Sequence, residues 1–188
     1  MRAALAAVLL AGAAGASDIP APQGLPLPFD FGGAFALTDH TGATRTQADP
    51  EGRMQLVFFG YANCEQICSV ALPLMADVAY DLADRGLAVT PVMITVDPAR
   101  DTVADIGPPL AEHHPDFVGL TGSEDELAPV YDLFAVEHKL VWTDPEYGPL
   151  YAHGSHIYLM DAAGAFLTLI PPILSPERAT EIVAAYAG

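Results

Sequence analysis

Met54-Gln55-Leu56-Val57-Phe58-Phe59-Gly60-Tyr61-Ala62-Asn63-Cys64-Glu65-Gln66-Ile67-Cys68 is the stretch that decides the fold. Its first seven residues are a nearly continuous apolar run, β-branched and aromatic, of the length of a buried central strand. From Ser69 onward, Val70, Leu72, Leu74, Met75, Val78, Ala79 and Leu82 recur at helical spacing, and Arg85-Gly86 supplies a helix end. Leu87 to Val96 reads as a second apolar strand. Strand, helix and strand in this order predict a right-handed crossover between parallel strands. Both cysteines then stand where the first strand hands over to the helix.

Working outward, Phe35 to Thr38 predicts a short strand, Asp39-His40-Thr41-Gly42 a turn, and Thr44 a second short strand. Beyond the crossover, Asp97 to Thr102 reads as a turn, Val103 to about His113 as a helix, and Phe117 to Leu120 as a strand. Ser123-Glu124-Asp125-Glu126 has the form of a capping box and starts a helix running to about Phe134. Val136 to Trp142 and Ser155 to Met160 read as strands, separated by a turn-rich loop containing Asp144, Pro145, Gly148 and Pro149. Asp161 to Gly164 turns into a strand over Phe166 to Ile170, and Ser175-Pro176 opens a last helix to Ala187. The expected class is α/β: a central mixed sheet with helices on both faces. A thioredoxin-like fold fits this pattern, although the pattern alone does not single it out.

The 188 residues suit one domain with a substantial core. Just over half are apolar and 16% are charged, a globular composition. Twenty-four acidic against seven basic residues create a field that repels nucleic acid and anionic membranes and favours cations and basic partners. The same acidity also serves plain solubility. Residues 1–16 read as an export signal: Arg2 is the positive region, Ala3 to Ala11 the apolar stretch, and Ala14-Gly15-Ala16 a small-residue cleavage site. The apolar stretch falls short of the roughly 20 residues of a spanning helix, which favours cleavage over anchoring. The mature chain would be soluble and periplasmic, with no membrane span. Residues 17–33, rich in Pro and Gly, read as an extended arm, and 34–188 as the folded domain.

Cys64 and Cys68 are the only cysteines, too few for a disulfide scaffold, so they point to a local site. At a helix start, unpaired N–H groups and the helix dipole favour thiolate over thiol. A spacing of four puts both sulfurs on one side of a helical turn, which suits Cu(I), a soft ion of low coordination. Structural zinc fits less well, because no second pair completes four ligands. On spacing alone, metal binding, dithiol redox chemistry and a structural disulfide all remain open.

Four segments break the tie. Phe58 to Cys68 resembles the Sco/SenC pattern, in which a strand ending Phe-Gly-Tyr leads to Cys-x-x-x-Cys. Thr95-Val96-Asp97-Pro98-Ala99-Arg100-Asp101-Thr102 is similar to that family's Val-Asp-Pro-x-Arg-Asp-Thr turn, and Phe117 to Gly122 to its Gly-Leu-Thr-Gly segment. His153-Gly154-Ser155-His156-Ile157-Tyr158-Leu159-Met160-Asp161 resembles its histidine segment, with His153 five residues before Tyr158-Leu159. The resemblance spans about residues 35 to 186. It implies a thioredoxin-like fold and a copper ion, Cu(I) and also Cu(II), held by Cys64, Cys68 and His153. It further implies copper delivery to, or thiol reduction of, the CuA centre in subunit II of cytochrome c oxidase. The chain departs from the family at Glu65 and Ser69, where Pro is usual, and at Ala152, where an acidic residue usually precedes the histidine. Glu65 adds negative charge between the thiols, and Ala152 removes a group that could orient the imidazole.

His156 is a competing ligand, but strand alternation would set it on the face opposite His153. His40, His113, His114 and His138 read as solvated or packed histidines. Asp97 reads as a turn-stabilising Asp before Pro, with outer-shell support of the site as the alternative. As a chaperone, the protein would exchange its metal through an exposed site on a loop. As a thiol–disulfide oxidoreductase, it would use Cys64 as nucleophile and Cys68 as resolving thiol. The cis-proline that thioredoxins place opposite their dithiol is replaced here by Gly154-Ser155-His156. A peroxidase role needs a cation near the thiol; Glu65 and the scarcity of Lys and Arg argue against it, and the only candidate is Arg100.

Overall fold

The computed structural model describes residues 30–187 except 63, 65, 66 and 147. The proposed signal, residues 17–29 of the arm, and Glu65 lie outside the described residues. A seven-stranded sheet has the order β2-β1-β5-β4-β3-β8-β9. Its centre is β3 (Met54–Gly60), parallel to β4 (Val89–Thr95), which in turn is parallel to β5 (Val118–Thr121). β1 (Ala36–Asp39) runs antiparallel to β5 and to β2 (Thr44–Thr46). On the other side, β8 (Ile157–Met160) is antiparallel to β3, and β9 (Phe166–Ile170) to β8. The crossover between β3 and β4 is α1 (Cys68–Asp84), and α4 (Pro176–Tyr186) packs on α1.

Strand alternation sorts the layers. Phe59 meets Tyr131 and Phe134, at the end of α3 (Glu124–Leu133), at ring-centroid distances of 6.1 and 5.1 Å. Phe58 and Gly60 point the other way, and a Cβ on Gly60 would lie 3.0 Å from Cys68 Sγ at the start of α1. Helices therefore cover both faces of a mixed sheet, as the sequence predicts. Phe58 and Phe59 are fully buried, each contributing roughly 2–3 kcal/mol of apolar burial. The end of the arm belongs to this packing: Phe31 meets Tyr158 and Phe166, and Gly32 N–H donates to the Leu133 carbonyl.

Two elements differ from expectation. The helix predicted from Val103 is only Gly107–Ala111 (α2), because Pro108 and Pro109 are tolerated in a first turn and nowhere later. The strand predicted over Val136 to Trp142 and the loop after it are instead a separate two-stranded ribbon. It pairs β6 (Lys139–Asp144) with β7 (Gly148–Ala152). Gly148 and Pro149 look like breakers, yet an edge strand has room for a residue without an N–H. The ribbon leads directly into His153.

Candidate metal centre

The site forms where β3 and β4 end, the carboxyl edge at which open α/β sheets gather their functional groups. β3 ends at Gly60, and the chain turns so that Cys64 N–H donates to the Tyr61 carbonyl at 3.1 Å. Gly60 is the residue that leaves room for the Cys68 sulfur, since its Cβ would also meet Phe58 at 2.8 Å. Both cysteines are free thiols and both are buried, with Cys64 8% and Cys68 1% exposed. The loop thus does not expose the sulfurs, contrary to the sequence expectation. His153, half-buried, is the most exposed of the three predicted ligands.

His153 Nε2 lies 3.9 Å from Cys64 Sγ and 3.9 Å from Cys68 Sγ. Among the described residues, these three make the one group of His, Cys, Asp or Glu ligand atoms that converge, all within 4.8 Å of one another. The fit to a metal can be tested by trigonometry. Bonds of about 2.3 Å to sulfur and about 2.0 Å to nitrogen give a trigonal site S···N edges of about 3.7 Å. The observed edges are near that value, and two sulfurs with one imidazole suit soft Cu(I).

The imidazole is set by its surroundings. His153 Nδ1 lies 3.1 Å from the Gly154 carbonyl, so the tautomer that donates there leaves the Nε2 lone pair facing the sulfurs. This contact does the orienting work that an acidic residue at Ala152 would do. The ring stands edge-on to Phe58 and Tyr61, at 5.9 and 5.7 Å. His156 is exposed and does not join the group. His40 accepts from Gly119 N–H, His114 packs on Tyr80, and His138 lies between Tyr131 and Tyr151.

The Cys68 thiol does not shift in the direction that the helix start alone suggests. The hydrogen bond to Cys64, then burial and the Cys64 charge, push the Cys68 thiol far above the ordinary thiol range. Neighbouring backbone donors pull it down and are outweighed. Burial, with the Cys64 charge second, pushes the Tyr61 hydroxyl up to about 12. The largest of the causes acting on Cys68 is the hydrogen bond between its thiol and the Cys64 sulfur.

Asp97 does stabilise its turn: its carbonyl accepts from Arg100 and Asp101 N–H, and its own N–H donates to Thr95 Oγ1. Its carboxylate also pairs with Arg100. Sequence reasoning missed the reach of this turn. Asp101 accepts from Ala62 N–H in the cysteine loop, and Arg100 donates to the Pro149 carbonyl in the ribbon. The signal was the Asp-Pro-Ala-Arg-Asp segment, whose two charged partners of Asp97 serve more than a local turn.

The SCO1/SenC family model matches residues 24–188. A SCO2-like protein of Rickettsia conorii is 34% identical over 156 residues, 81% of this chain and 75% of that protein. The mitochondrial SCO2 homolog of Bos taurus is 36% identical over 153 residues, 80% of this chain and 58% of that protein. Among solved structures, Bradyrhizobium japonicum ScoI with copper bound is 33% identical with a TM-score of 0.74, covering 83% of this chain and 99% of that one. Arabidopsis thaliana ScoI with copper bound is 28% identical with a TM-score of 0.78, covering 84% and 98%. With the family model matching almost the whole folded sequence, and relatives above 30% identity over four-fifths of the chain, this chain belongs to the SCO1/SenC family.

Proposed function

We propose that the protein is a periplasmic copper chaperone acting in cytochrome c oxidase assembly, with Cys64, Cys68 and His153 as its copper ligands. The observation that carries the reading is the equal 3.9 Å approach of one imidazole nitrogen to two sulfurs that are 89 and 85 residues away in sequence. Relatives with this fold have been solved with copper bound. Copper is cargo: the two thiols supply soft donors, and His153, the more exposed ligand, is the first to yield to an acceptor's ligand. The acceptor we favour is the CuA domain of subunit II. A net charge of −17 would help hold a basic partner surface and draw in the cation. Residues 1–16 would direct export and be removed after Ala16, leaving 17–33 as an arm and 34–188 as the domain. Among the described residues no helix is long and apolar enough to cross a membrane.

Two free cysteines side by side also suit a second activity of the same pair. Cys64 thiolate attacks one sulfur of a partner disulfide, forming a mixed disulfide and releasing one partner thiolate. Cys68, passing its proton to the partner thiolate already released, then attacks the Cys64 sulfur and releases the second thiolate, which takes a proton from water. Two electrons pass to the partner, and a Cys64–Cys68 disulfide remains for a dithiol reductant to restore.

Anaerobic Cu(I) titration tests the main reading. One copper per chain is expected, lost in Cys64→Ser and Cys68→Ser. His153→Ala should weaken binding by about tenfold or more, roughly 1.4 kcal/mol. Unchanged affinity in all three variants contradicts the reading.

A further inference from the structure

The two halves of the metal centre come from different parts of the fold. The thiols stand on the β3–α1 junction, and His153 hangs from the β6–β7 ribbon. A two-stranded ribbon is only marginally stable by itself in water. Something must hold it at the carboxyl edge of the sheet before any metal arrives.

Arg100 touches every piece. Its Nε donates to the Asp97 carboxylate, which is fully buried at the end of β4. Its Nη2 donates to the Pro149 carbonyl at 2.7 Å, four residues before His153. Its guanidinium carbon lies over the Tyr61 ring, 5.4 Å from the centroid, and that ring stands edge-on to both Tyr151 and His153. Gly148 fits this arrangement: its φ is +80°, and a Cβ there would come within 3.1 Å of Arg100 Nη1. The next residue completes the link to the thiol side. Asp101, 2% exposed, accepts from Ala62 N–H and from Thr95 Oγ1.

We propose that Arg100 is a positioning residue that clamps the His153-bearing ribbon against the cysteine loop and so presets the distance between imidazole and thiols. A planar fork can serve Asp97 and Pro149 at once with its charge over the Tyr61 ring, whereas a lysine ammonium is a single point that cannot. The consequence for copper rests on the reading of Cys64, Cys68 and His153 as the copper site. The clamp itself exists in the metal-free protein and can be measured there.

Two measurements on the full chain test it, with Arg100→Gln and Arg100→Lys as variants. In metal-free protein, amide hydrogen exchange of residues 139–152 should quicken about tenfold or more in Arg100→Gln and partly in Arg100→Lys. Amides of β3 and β4 should keep their rates, which separates release of the ribbon from general destabilisation. In anaerobic Cu(I) titration, Arg100→Gln should weaken binding on the order of tenfold, the scale of an outer-shell partner. It should cost nothing further in a His153→Ala background, because the clamp acts only through that ring. Unchanged ribbon exchange overturns the proposal, as does an equal loss of affinity in both backgrounds. If the wild-type chain takes up no Cu(I), the copper reading fails, yet the exchange pattern still decides the clamp.

Discussion

At the scale of the residue, the centre is governed by where protons sit. Cys68 is buried beside a sulfur that competes for charge, so its thiol holds its proton well above the ordinary range. A metal bound by both sulfurs must displace that proton. Cu(I) binding at neutral pH is therefore expected to release a proton and to strengthen about tenfold per pH unit while Cys68 is still a thiol in the free protein. Titrations from pH 6 to 8 in buffers of different ionisation enthalpy check this, and a pH-independent affinity would contradict it. The pairing of Cys64 with Cys68 is legible in the sequence because they are neighbours. That His153 meets them is carried only by its resemblance to a family segment, since no local pattern measures a reach of 85 residues. The protonation of Cys68 was not legible, because spacing suggests a helix start while burial decides the outcome.

At the scale of the element, periodicity carries far. β3, α1 and β4 follow from an apolar run, a helical repeat and a second run, and their register is parallel as expected. The sequence fails where a local rule meets a long-range partner. Gly148 and Pro149 break a strand on propensity, but in β7 they pair with β6 across a ribbon that has no second neighbour. Arg100 reads as part of a turn, while its contact with Pro149 spans 49 residues. The ribbon carries the chain's one tryptophan, Trp142, which is 57% exposed. In the proposed site Cu(I) would join the end of this ribbon to the cysteine loop, so the nanosecond anisotropy decay of Trp142 should lose amplitude on loading. The change should be absent in His153→Ala. An equal change in both proteins would mean that the ribbon does not communicate with the site through that ligand.

At the scale of the whole molecule, the sheet separates function from support. The candidate metal centre occupies the carboxyl edge of β3 and β4, and the opposite edge is fastened by Asp49. Burial alone would raise the Asp49 carboxyl, but the Thr90 hydroxyl, the Arg53 and Glu51 N–H groups and the Arg53 charge hold it below the usual carboxylate range. Arg45 and Arg53 both lie 3.6 Å from it. A folded-state pKa below the unfolded value means stability that is present above pH of about 4 and lost as pH falls through the folded pKa. Asp49→Asn should cost about 2 kcal/mol at pH 7 in urea unfolding. The gap between variant and wild type should close in strong acid. A gap that persists unchanged at pH 2 would assign the loss to packing.

The proposed function requires one imidazole and two thiols to converge on one copper ion. X-ray absorption of the Cu(I)-loaded protein tests it most directly. Two sulfur scatterers at about 2.3 Å and one nitrogen at about 2.0 Å are expected, with the nitrogen lost in His153→Ala. A spectrum of two sulfurs with no nitrogen, or one that His153→Ala leaves unchanged, would contradict it.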